Sequence, residues 1–197
     1  MTEQAIITFG QAFMTHELHR KVNSKLGREQ ELFAGISRLM LDSFPDEPVL
    51  FVSEQGPAHA AAVLLSSSQE AQLVALQQQL DFGVIPGTLQ MLQAIPQSSL
   101  PTMMAAFRTL HEAGTAAMHS AGHSHYLKLM LLAARSEAQG NGLGSAVLDA
   151  AVAAADGKRL PLYLEAANEE LVPMYERYGF KPVGRLDLMT LMVRERL

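Results

Sequence analysis

The stretch that decides the fold is Gln139-Gly140-Asn141-Gly142-Leu143-Gly144, in which three glycines stand at alternate positions. It follows a nearly continuous apolar run, Tyr126 to Ala134, which predicts a strand that is covered on both faces. Apolar residues at helical spacing come after it, up to a natural stop at Gly157. Such a turn leaves backbone N–H groups free at the helix N-terminus, where the helix dipole helps them to hold an anion. The stretch therefore predicts a phosphate-binding loop, with a tight turn that binds nothing as the alternative.

Two common phosphate-binding loops fit this stretch poorly. A P-loop would continue with Lys and Ser or Thr, but Ser145 and Ala146 follow Gly144. A dinucleotide-binding fold comes closer, because Glu165 ends the next predicted strand, where an acidic residue would hold a ribose. Its third small position is Ser145, however, and only residues 166–197 remain to complete the sheet. A methyltransferase fold is excluded for the same reason, because too few residues follow Glu165 to complete its sheet.

The rest of the chain alternates predicted strands and helices, which indicates an α/β (α+β) fold around a mixed sheet. The predicted strands are Ala5–Thr8, Val49–Val52 with Ala58–Leu65 as a hairpin, Tyr126–Ala134, Leu162–Ala166, Lys181–Leu186 and Leu188–Val193. The predicted helices are Leu32–Met40, Gln69–Leu80, Met103–Met118, the helix after the glycine loop, and Leu171–Tyr178.

Composition excludes several classes of protein. The 197 residues carry a formal net charge of -5 without a basic patch, which argues against a nucleic-acid partner. The absence of cysteine excludes disulfides, thiolate metal sites and a cysteine acyl-enzyme. Lys128 interrupts the longest apolar run, and the first residues do not resemble a signal peptide. We therefore expect a cytoplasmic protein with no membrane partner.

Two polar clusters are interpreted as surface features of the protein. His119, His123 and His125 are close enough for a zinc site, but no Cys or Asp lies among them. A surface turn is the favoured reading, and no metal site is expected. The run Arg194-Glu195-Arg196 is predicted to be an exposed tail.

The glycine loop, written Gln139-x-x-Gly142-x-Gly144, resembles the acetyl-CoA pyrophosphate loop of the GNAT superfamily of N-acetyltransferases. That family's pattern is Gln/Arg-x-x-Gly-x-Gly/Ala. Its members continue with a helix, a strand, an Asn and a helix that ends in Tyr-x-x-x-Gly-Phe, as Asn168 and Tyr175–Phe180 do here. The strongest likeness covers residues 125–184. It implies one acetyltransferase domain over residues 1–197, with a mostly antiparallel sheet whose strands splay at the cofactor site.

Within the superfamily, the chain is most similar to the puromycin-acetyltransferase-like branch, which acts on small amines. The likeness rests on His125-Tyr126-Leu127 at the strand start and on Glu165-x-x-Asn168 before the last helix. The chain departs from that branch at Ser136, where proline is common, and at Val63-Leu64-Leu65, where tryptophan is frequent. The second departure concerns the substrate pocket and leaves the cofactor loop intact.

The resemblance implies direct transfer of an acetyl group from acetyl-CoA to an amine within a ternary complex. Catalysis would then depend on positioning and on stabilisation of the oxyanion. By resemblance, backbone groups of Ala133 and Ala134 bind pantetheine and the thioester, and Asn168 contacts the cofactor arm. The residues that would bind pyrophosphate are Gln139, Gly140, Asn141, Gly142, Leu143 and Gly144.

Two side chains are candidates for proton transfer. Tyr175 would protonate the departing thiolate, since a phenol is a suitable acid for a thiol leaving group. Its alternative role is packing under the sheet. Glu165 would accept the proton of the amine, anchor its positive charge, or act only as a structural carboxylate. The residues alone leave these alternatives open.

Three functions fit these residues. The first is acetylation of a small-molecule amine, favoured because the segment Gln69–Ser124 suggests material that closes a pocket. The second is acetylation of protein N-termini or lysines. The third is a sensor that binds acyl-CoA without turnover, against which the presence of Tyr175 argues. Because many relatives pair, a homodimer is also expected.

Overall fold

A computed structural model describes residues 2–14, 34, 35, 37, 38, 41, 43, 49–52, 59–79 and 100–196 of the chain. The strands among them form one six-stranded sheet in the order β1-β2-β3-β4-β6-β5. Their bounds are β1 Val49–Val52, β2 Ala60–Ser66, β3 Leu127–Ala134, β4 Leu162–Ala166, β5 Lys181–Leu186 and β6 Met189–Arg194. Only β3 and β4 pair in parallel, and the other neighbours are antiparallel. The predicted mixed, mostly antiparallel sheet is confirmed.

Helices cover the sheet on both faces. Their bounds are α1 Thr2–Met14, α2 Ser67–Gln79, α3 Leu100–Ser120, α4 Leu143–Lys158 and α5 Val172–Arg177, with 3-10 turns at Ser136–Ala138 and Glu169–Leu171. The predicted helices Gln69–Leu80, Met103–Met118 and Leu171–Tyr178 are confirmed to within a few residues. Of the predicted helix Leu32–Met40, residues 34, 35, 37 and 38 are described, and they are helical. None of the described helices is long and apolar enough to cross a membrane.

The two faces of the sheet have separate cores because side chains alternate along a strand. On one face, here called the α4 face, Leu162, Leu164 and Ala166 of β4 pack against α4 and α5. On the other, the α3 face, Tyr163 packs with Met118 of α3 and with side chains of β6. Consecutive residues of β4 therefore point to different cores, and Glu165 belongs to the α3 face with Tyr163.

Residues Ala5–Thr8 form part of helix α1, so the predicted first strand is wrong. The β-branched residues of this stretch favour a strand locally. Ala5, Ile6 and Phe9 are nevertheless the buried apolar residues, which is helical spacing, and Ile7 between them is 39% exposed. α1 packs on β2 and β3. Burial of one helical stripe against the sheet outweighs the local preference.

Arg194 ends β6 as a buried residue, so the predicted exposed tail is wrong at this position. Its Nη1 and Nη2 donate to Asp156 Oδ1 and Oδ2 at 2.6 and 3.0 Å. Its Nε donates to the Tyr178 carbonyl at 3.0 Å. A single guanidinium thus joins β6 to α4 and to the end of α5, and it uses the planar geometry that suits a carboxylate.

The left-handed cap of α4 lies two residues beyond the predicted stop. Gly157 lies inside the helix, which ends at Lys158. Arg159 supplies the left-handed cap with φ 54°, and its N–H bonds to the carbonyl groups of Ala155 and Asp156. The helix therefore ends without a glycine at the left-handed position, which is where glycine is usually found.

Candidate functional site

A gap opens between the two parallel strands β3 and β4. They pair only at Leu127 with Leu162 and at Lys128 with Tyr163. Beyond these pairs β3 continues with β2, and β4 continues with β6, but the two strands no longer pair with each other. The predicted splay is thereby confirmed, and both strands present backbone groups to the gap.

The register of β3 decides which of its backbone groups face this gap. A bulge changes the pairing of β3 with β2 midway along the strand. Beyond the bulge, just after the end of the strand, the Arg135 N–H donates to the His59 carbonyl at 2.8 Å. In an antiparallel pair every second residue bonds to the same neighbour, so Ala133, two residues before Arg135, also bonds to β2. Ala133 therefore directs its backbone groups to β2. Leu132 and Ala134 direct theirs into the gap.

The glycine loop connects the end of β3 to the start of α4. Gly140 and Gly142 have φ of 82° and 77°, in the left-handed region that glycine adopts readily. A Cβ at either position would meet no atom within 4 Å, so backbone conformation rather than crowding requires these glycines. Gly142 is the N-cap of α4 and makes no side-chain cap bond, which leaves the first N–H groups of the helix for a ligand.

The helix N-terminus lies beside the open end of the gap. A Cβ on Gly144 would lie 3.7 Å from the Cβ of Ala134, whose backbone faces the gap. Residues 139–142 are exposed, and Leu143 and Gly144 are half-buried. The six residues predicted to bind pyrophosphate therefore form one accessible loop and helix start. The Gln139 N–H donates to the Ser136 carbonyl at 3.3 Å, so the helix dipole and the N–H groups after Gln139 are the features that suit an anionic ligand.

Asn168 lies directly after β4, near the second strand of the gap. Its Oδ1 accepts a hydrogen bond from the Leu171 N–H at 3.1 Å and so caps the 3-10 turn Glu169–Leu171. The amide nitrogen of the same side chain is the group that would donate to a ligand. The cap fixes the orientation of the Asn168 side chain.

Tyr175 belongs to the core of the α4 face. It is 7% exposed, and its ring lies 5.8 Å from that of Phe180 in an edge-to-face arrangement. Its carbonyl accepts from the Phe180 N–H at 3.2 Å, across a turn in which Gly179 has φ 85°. Burial raises the pKa of Tyr175 to about 12. The phenol therefore keeps its proton throughout the neutral range.

Glu165 belongs to a buried charge cluster on the α3 face, made of Glu70, Lys128 and Glu165. Lys128 Nζ lies 2.6 Å from Glu70 Oε1 and 2.6 Å from Glu165 Oε1. Burial alone would lower the pKa of Lys128, but the carboxylates of Glu165 and Glu70 raise it above its usual value. Burial likewise opposes ionisation of Glu70, yet Lys128 and His111 hold its pKa below the usual value.

Two tyrosines border the buried charge cluster. The Tyr126 hydroxyl donates to Glu70 Oε2 at 3.4 Å, and burial together with Glu70 raises the pKa of Tyr126 to about 12. Lys128 Nζ lies 5.4 Å from the centre of the Tyr163 ring. Burial and the neighbouring Glu165 carboxylate raise the pKa of Tyr163, whose hydroxyl has no well-aligned hydrogen bond among the described residues.

The sequence did not reveal Lys128 and Glu70 as parts of the site. The one signal was a lysine inside a strand that is otherwise apolar, which is unusual unless the charge is paired. Its partners cannot be read from spacing, because Glu70 lies 58 positions away in α2. Only the fold brings the cluster together.

The two candidates for proton transfer lie on opposite faces of the sheet. Tyr175 packs with the α4 face, and Glu165 points to the α3 face. The gap between β3 and β4 is the place where the sheet is open between these faces. A ligand group in the gap would be approachable from both.

The clustered histidines lie away from these groups. His119 and His125 are exposed, and His123 Nε2 lies 3.1 Å from Glu195 Oε1. Over the residues that the structure describes, no three His, Asp or Glu side chains are grouped so that they could hold a metal ion.

The geometry agrees with a comparison of the sequence against family models. The model of the acetyltransferase (GNAT) domain matches residues 59–187, from the start of β2 to the turn after β5. The chain belongs to the GNAT acetyltransferase family. It is therefore an N-acetyltransferase, a class of acyltransferase that in general uses acetyl-CoA. The splayed strands and the glycine loop are the GNAT features of this fold.

Solved structures support the GNAT fold. The chain is similar to a histone acetyltransferase HPA2 and related acetyltransferase from Corynebacterium glutamicum, with 17% identity, TM-score 0.59 and coverage of 100% of this chain and 91% of that one. SsHAT gives 14% identity, TM-score 0.62 and coverage of 98% and 92%. A mosquito arylalkylamine N-acetyltransferase like 5b gives 11% identity, a TM-score of 0.53, and coverage of 86% of this chain and 81% of that one. These identities establish the fold alone. No curated protein matches the chain.

Proposed function

We propose that this chain transfers the acetyl group of acetyl-CoA directly to a primary amine of a small molecule. The observation that supports this proposal most is the gap between β3 and β4, which ends beside the uncapped N-terminus of α4. The two features together offer a slot for an extended thioester arm and a binding site for its pyrophosphate. We assign residues 1–197 to one such domain.

For the cofactor, the loop from Gln139 to Gly144 would bind the pyrophosphate through backbone N–H groups. The pantetheine arm would lie along β3, where the register favours backbone contacts from Leu132 and Ala134. The sequence also predicts a contact from Ala133. In the register of β3, Ala133 lies between Leu132 and Ala134 and directs its backbone groups to β2. The amide nitrogen of Asn168 would donate to the arm from the other strand of the gap.

The proposed reaction is a single displacement at the thioester carbonyl. The amine nitrogen bonds to the carbonyl carbon, the carbon–sulfur bond breaks, and backbone N–H groups of β3 stabilise the oxyanion. Tyr175 gives its proton to the departing thiolate on the α4 face. Glu165 takes one proton from the bound ammonium on the α3 face before attack, which frees the nitrogen lone pair. The second proton leaves the nitrogen to solvent as the amide forms. The opposite positions of these two side chains support this division of roles.

Two features favour a small cationic acceptor. The buried charge cluster has two carboxyl groups against one ammonium, so its net charge attracts an amine in its protonated form. Within the segment Gln69–Ser124, helices α2 and α3 cover the face on which Glu165 lies, while residues 80–99 are outside the described residues. The likeness to the puromycin-acetyltransferase-like branch favours the same substrate class.

The experiment has two steps. Thermal unfolding is first followed with and without acetyl-CoA, and a binding cofactor should raise the midpoint in a concentration-dependent way. Release of free thiol is then measured over a panel of small primary amines, with peptides bearing a free N-terminus or a lysine as the comparison. No stabilisation by acetyl-CoA would contradict the cofactor site. Faster turnover of the peptides would instead favour the protein acetyltransferase, and binding without any turnover would favour the sensor.

Two further expectations stay predictions. They are the cytoplasmic location and the pairing of two copies into a homodimer. Size-exclusion chromatography with light scattering would measure the second directly.

A further inference from the structure

We propose that Glu70 and Lys128 are positioning residues that hold the Glu165 carboxylate in place and set the local charge under which it accepts a proton. The inference rests on the proposed function, in which Glu165 takes the proton of the amine. It assigns a functional role to two buried residues that do not touch the acceptor.

The position of Lys128 supports this role. It stands opposite Tyr163 in the last pair that β3 and β4 form before they diverge, so it lies at the closed end of the gap. Its Nζ contacts both carboxylates at 2.6 Å, and its side chain is 2% exposed. Glu165, two residues further along β4, points to the same face, where the strands have separated. The ammonium therefore contacts a carboxylate that stands where the two strands have already separated.

The first turn of α2 fixes Glu70 in position. The Ser66 N–H donates to Gln69 Oε1 at 2.7 Å, and the Gln69 N–H donates to Ser66 Oγ at 3.2 Å. This reciprocal pair is a capping box, which sets the start of the helix directly at the end of β2. Glu70 follows it and points inward with 5% of its side chain exposed. The start of α2 thus places the Glu70 carboxylate against the Lys128 ammonium, which also contacts the carboxylate of Glu165.

An ion pair needed only for stability would require one carboxylate. Burying a second one has a desolvation cost that is hard to regain, and pairs of this kind are weak sources of stability. Two carboxylates on one lysine have a different consequence, because each raises the proton affinity of the other while the ammonium lowers both. Removing the ammonium and removing the second carboxylate therefore act on Glu165 in opposite directions.

Several elements contribute to the buried charge cluster and its surroundings. Among the described residues, the titratable and charged groups there are Glu70 of α2, His111 of α3, Tyr126, Lys128 of β3 and Tyr163 of β4. The side chains that β6 contributes to this face are Leu191 and Val193, which are apolar. Removal of Glu70 or of Lys128 thus changes one dominant charge at a time.

The test is the pH dependence of kcat/KM with acetyl-CoA and the best amine of the panel. The acidic limb reports protonation of the base. Glu70→Gln removes a like charge and should move this limb to lower pH by about one unit. Lys128→Met removes the opposite charge and should move it to higher pH by at least about one unit. The double variant Glu70→Gln/Lys128→Met should return close to the unaltered limb.

Opposite shifts are the signature that a purely structural role would not produce. Glu112→Gln is the matched control for Glu70→Gln, since Glu112 is an exposed residue of α3 and its loss changes the net charge in the same way. Shifts of the same sign in the two single variants, or no shift beyond that of Glu112→Gln, would overturn the inference. If Lys128→Met does not fold, Glu70→Gln alone tests the inference. A shift of its acidic limb to lower pH would support the inference, and an unmoved limb would overturn it.

Glu165→Gln separates this inference from the proposed function. If the acidic limb persists in Glu165→Gln, Glu165 is not the base, and both the proposed role of Glu165 and this inference fail. If the limb disappears in Glu165→Gln but does not move in Glu70→Gln, Glu165 remains the base and only the inference fails.

Discussion

The backbone of Gly114 in α3 packs directly against the hydroxyl of Tyr163 in β4. A Cβ at position 114 would lie 2.6 Å from that oxygen and 3.0 Å from Cζ of the ring. Tyr163 is fully buried and cannot move aside. We expect Gly114→Ala to lower the free energy of unfolding by roughly 1–3 kcal/mol from overpacking, despite the better helix propensity of alanine. Urea unfolding measures the change.

Gly157→Ala is the matched control for that substitution. Gly157 is also helical, but a Cβ there would meet no atom within 4 Å. It should therefore raise the free energy of unfolding by about 0.5–1 kcal/mol. Adding Tyr163→Phe to Gly114→Ala should recover part of the loss. A Gly114→Ala protein as stable as Gly157→Ala would show that the helix does not approach the sheet this closely.

Gly142→Ala tests the loop at the start of α4. Because Gly142 has φ 77°, an alanine there should cost roughly 1–2 kcal/mol of stability. It should also reduce the stabilisation that acetyl-CoA gives, since a relaxed backbone would misdirect the N–H groups. Thermal unfolding at several acetyl-CoA concentrations measures both effects. Gly144→Ala, whose Cβ would make an ordinary 3.7 Å contact with Ala134, should lose little of either.

Tyr175→Phe tests the proposed acid. Loss of the phenol should lower kcat by about a hundredfold or more, as for other positioned acids. The free energy of unfolding should change by less than about 1 kcal/mol, because the ring and its contact with Phe180 remain. Tyr178→Phe in the adjoining turn serves as the control and should keep its turnover. Equal turnover in both variants would assign Tyr175 to packing alone.

The raised pKa of Tyr175 also predicts the alkaline side of the pH profile. An acid must be protonated to act, so its contribution is present below its pKa and is lost as the pH rises through that value. With a pKa of about 12, Tyr175 should leave kcat unchanged between neutral pH and about pH 10. A decline of kcat between pH 8 and pH 9 that persists in Tyr178→Phe and is absent in Tyr175→Phe would contradict the raised value. The range itself is set by the stability of the protein, so melting is recorded at each pH.

The three hydrogen bonds of the buried Arg194 guanidinium predict a large loss of stability when this side chain is removed. Arg194→Ala leaves Asp156 and the Tyr178 carbonyl without their shared donor, and we expect a loss of about 2–4 kcal/mol of unfolding free energy. A double-mutant cycle with Asp156→Ala should give a clear coupling energy. Arg196→Ala, at an exposed position, should change stability by less than about 0.5 kcal/mol. Equal effects of Arg194→Ala and Arg196→Ala would contradict the buried pair.

The segment from the glycine loop to the last helix was predictable because its signals are local. Glycines at alternate positions and strict helical spacing define the turn and α4 within a few residues. Helix α1 was not predictable in this way, because Ile6, Ile7 and Thr8 favour a strand locally. The stretch is helical because one helical stripe of apolar residues is buried against the sheet. Arg194 was missed for a related reason, because its partner Asp156 lies 38 positions away.

The candidate site divides in the same way. The loop residues and Tyr175 follow from motifs, whereas the backbone donors of β3 depend on a bulge that no residue type announces. The sequence pointed to Ala133 and Ala134, and the register turns Leu132 and Ala134 to the gap. Lys128 stood out as a charge in an apolar strand, but its two carboxylate partners required the packing of α2 and β4 around it.

The divergence of β3 and β4 also bears on self-association. Unpaired strand edges invite strands of other chains, and proteins usually protect the outer edges of their sheets for this reason. Here two additional unpaired edges lie in the interior of the sheet, where they converge at Lys128 and Tyr163 and are flanked by α4 on one face and α3 on the other. A foreign strand would have to enter between two strands that meet at one end. The unpaired backbone groups of β3 and β4 therefore lie where a strand of another chain can hardly reach them.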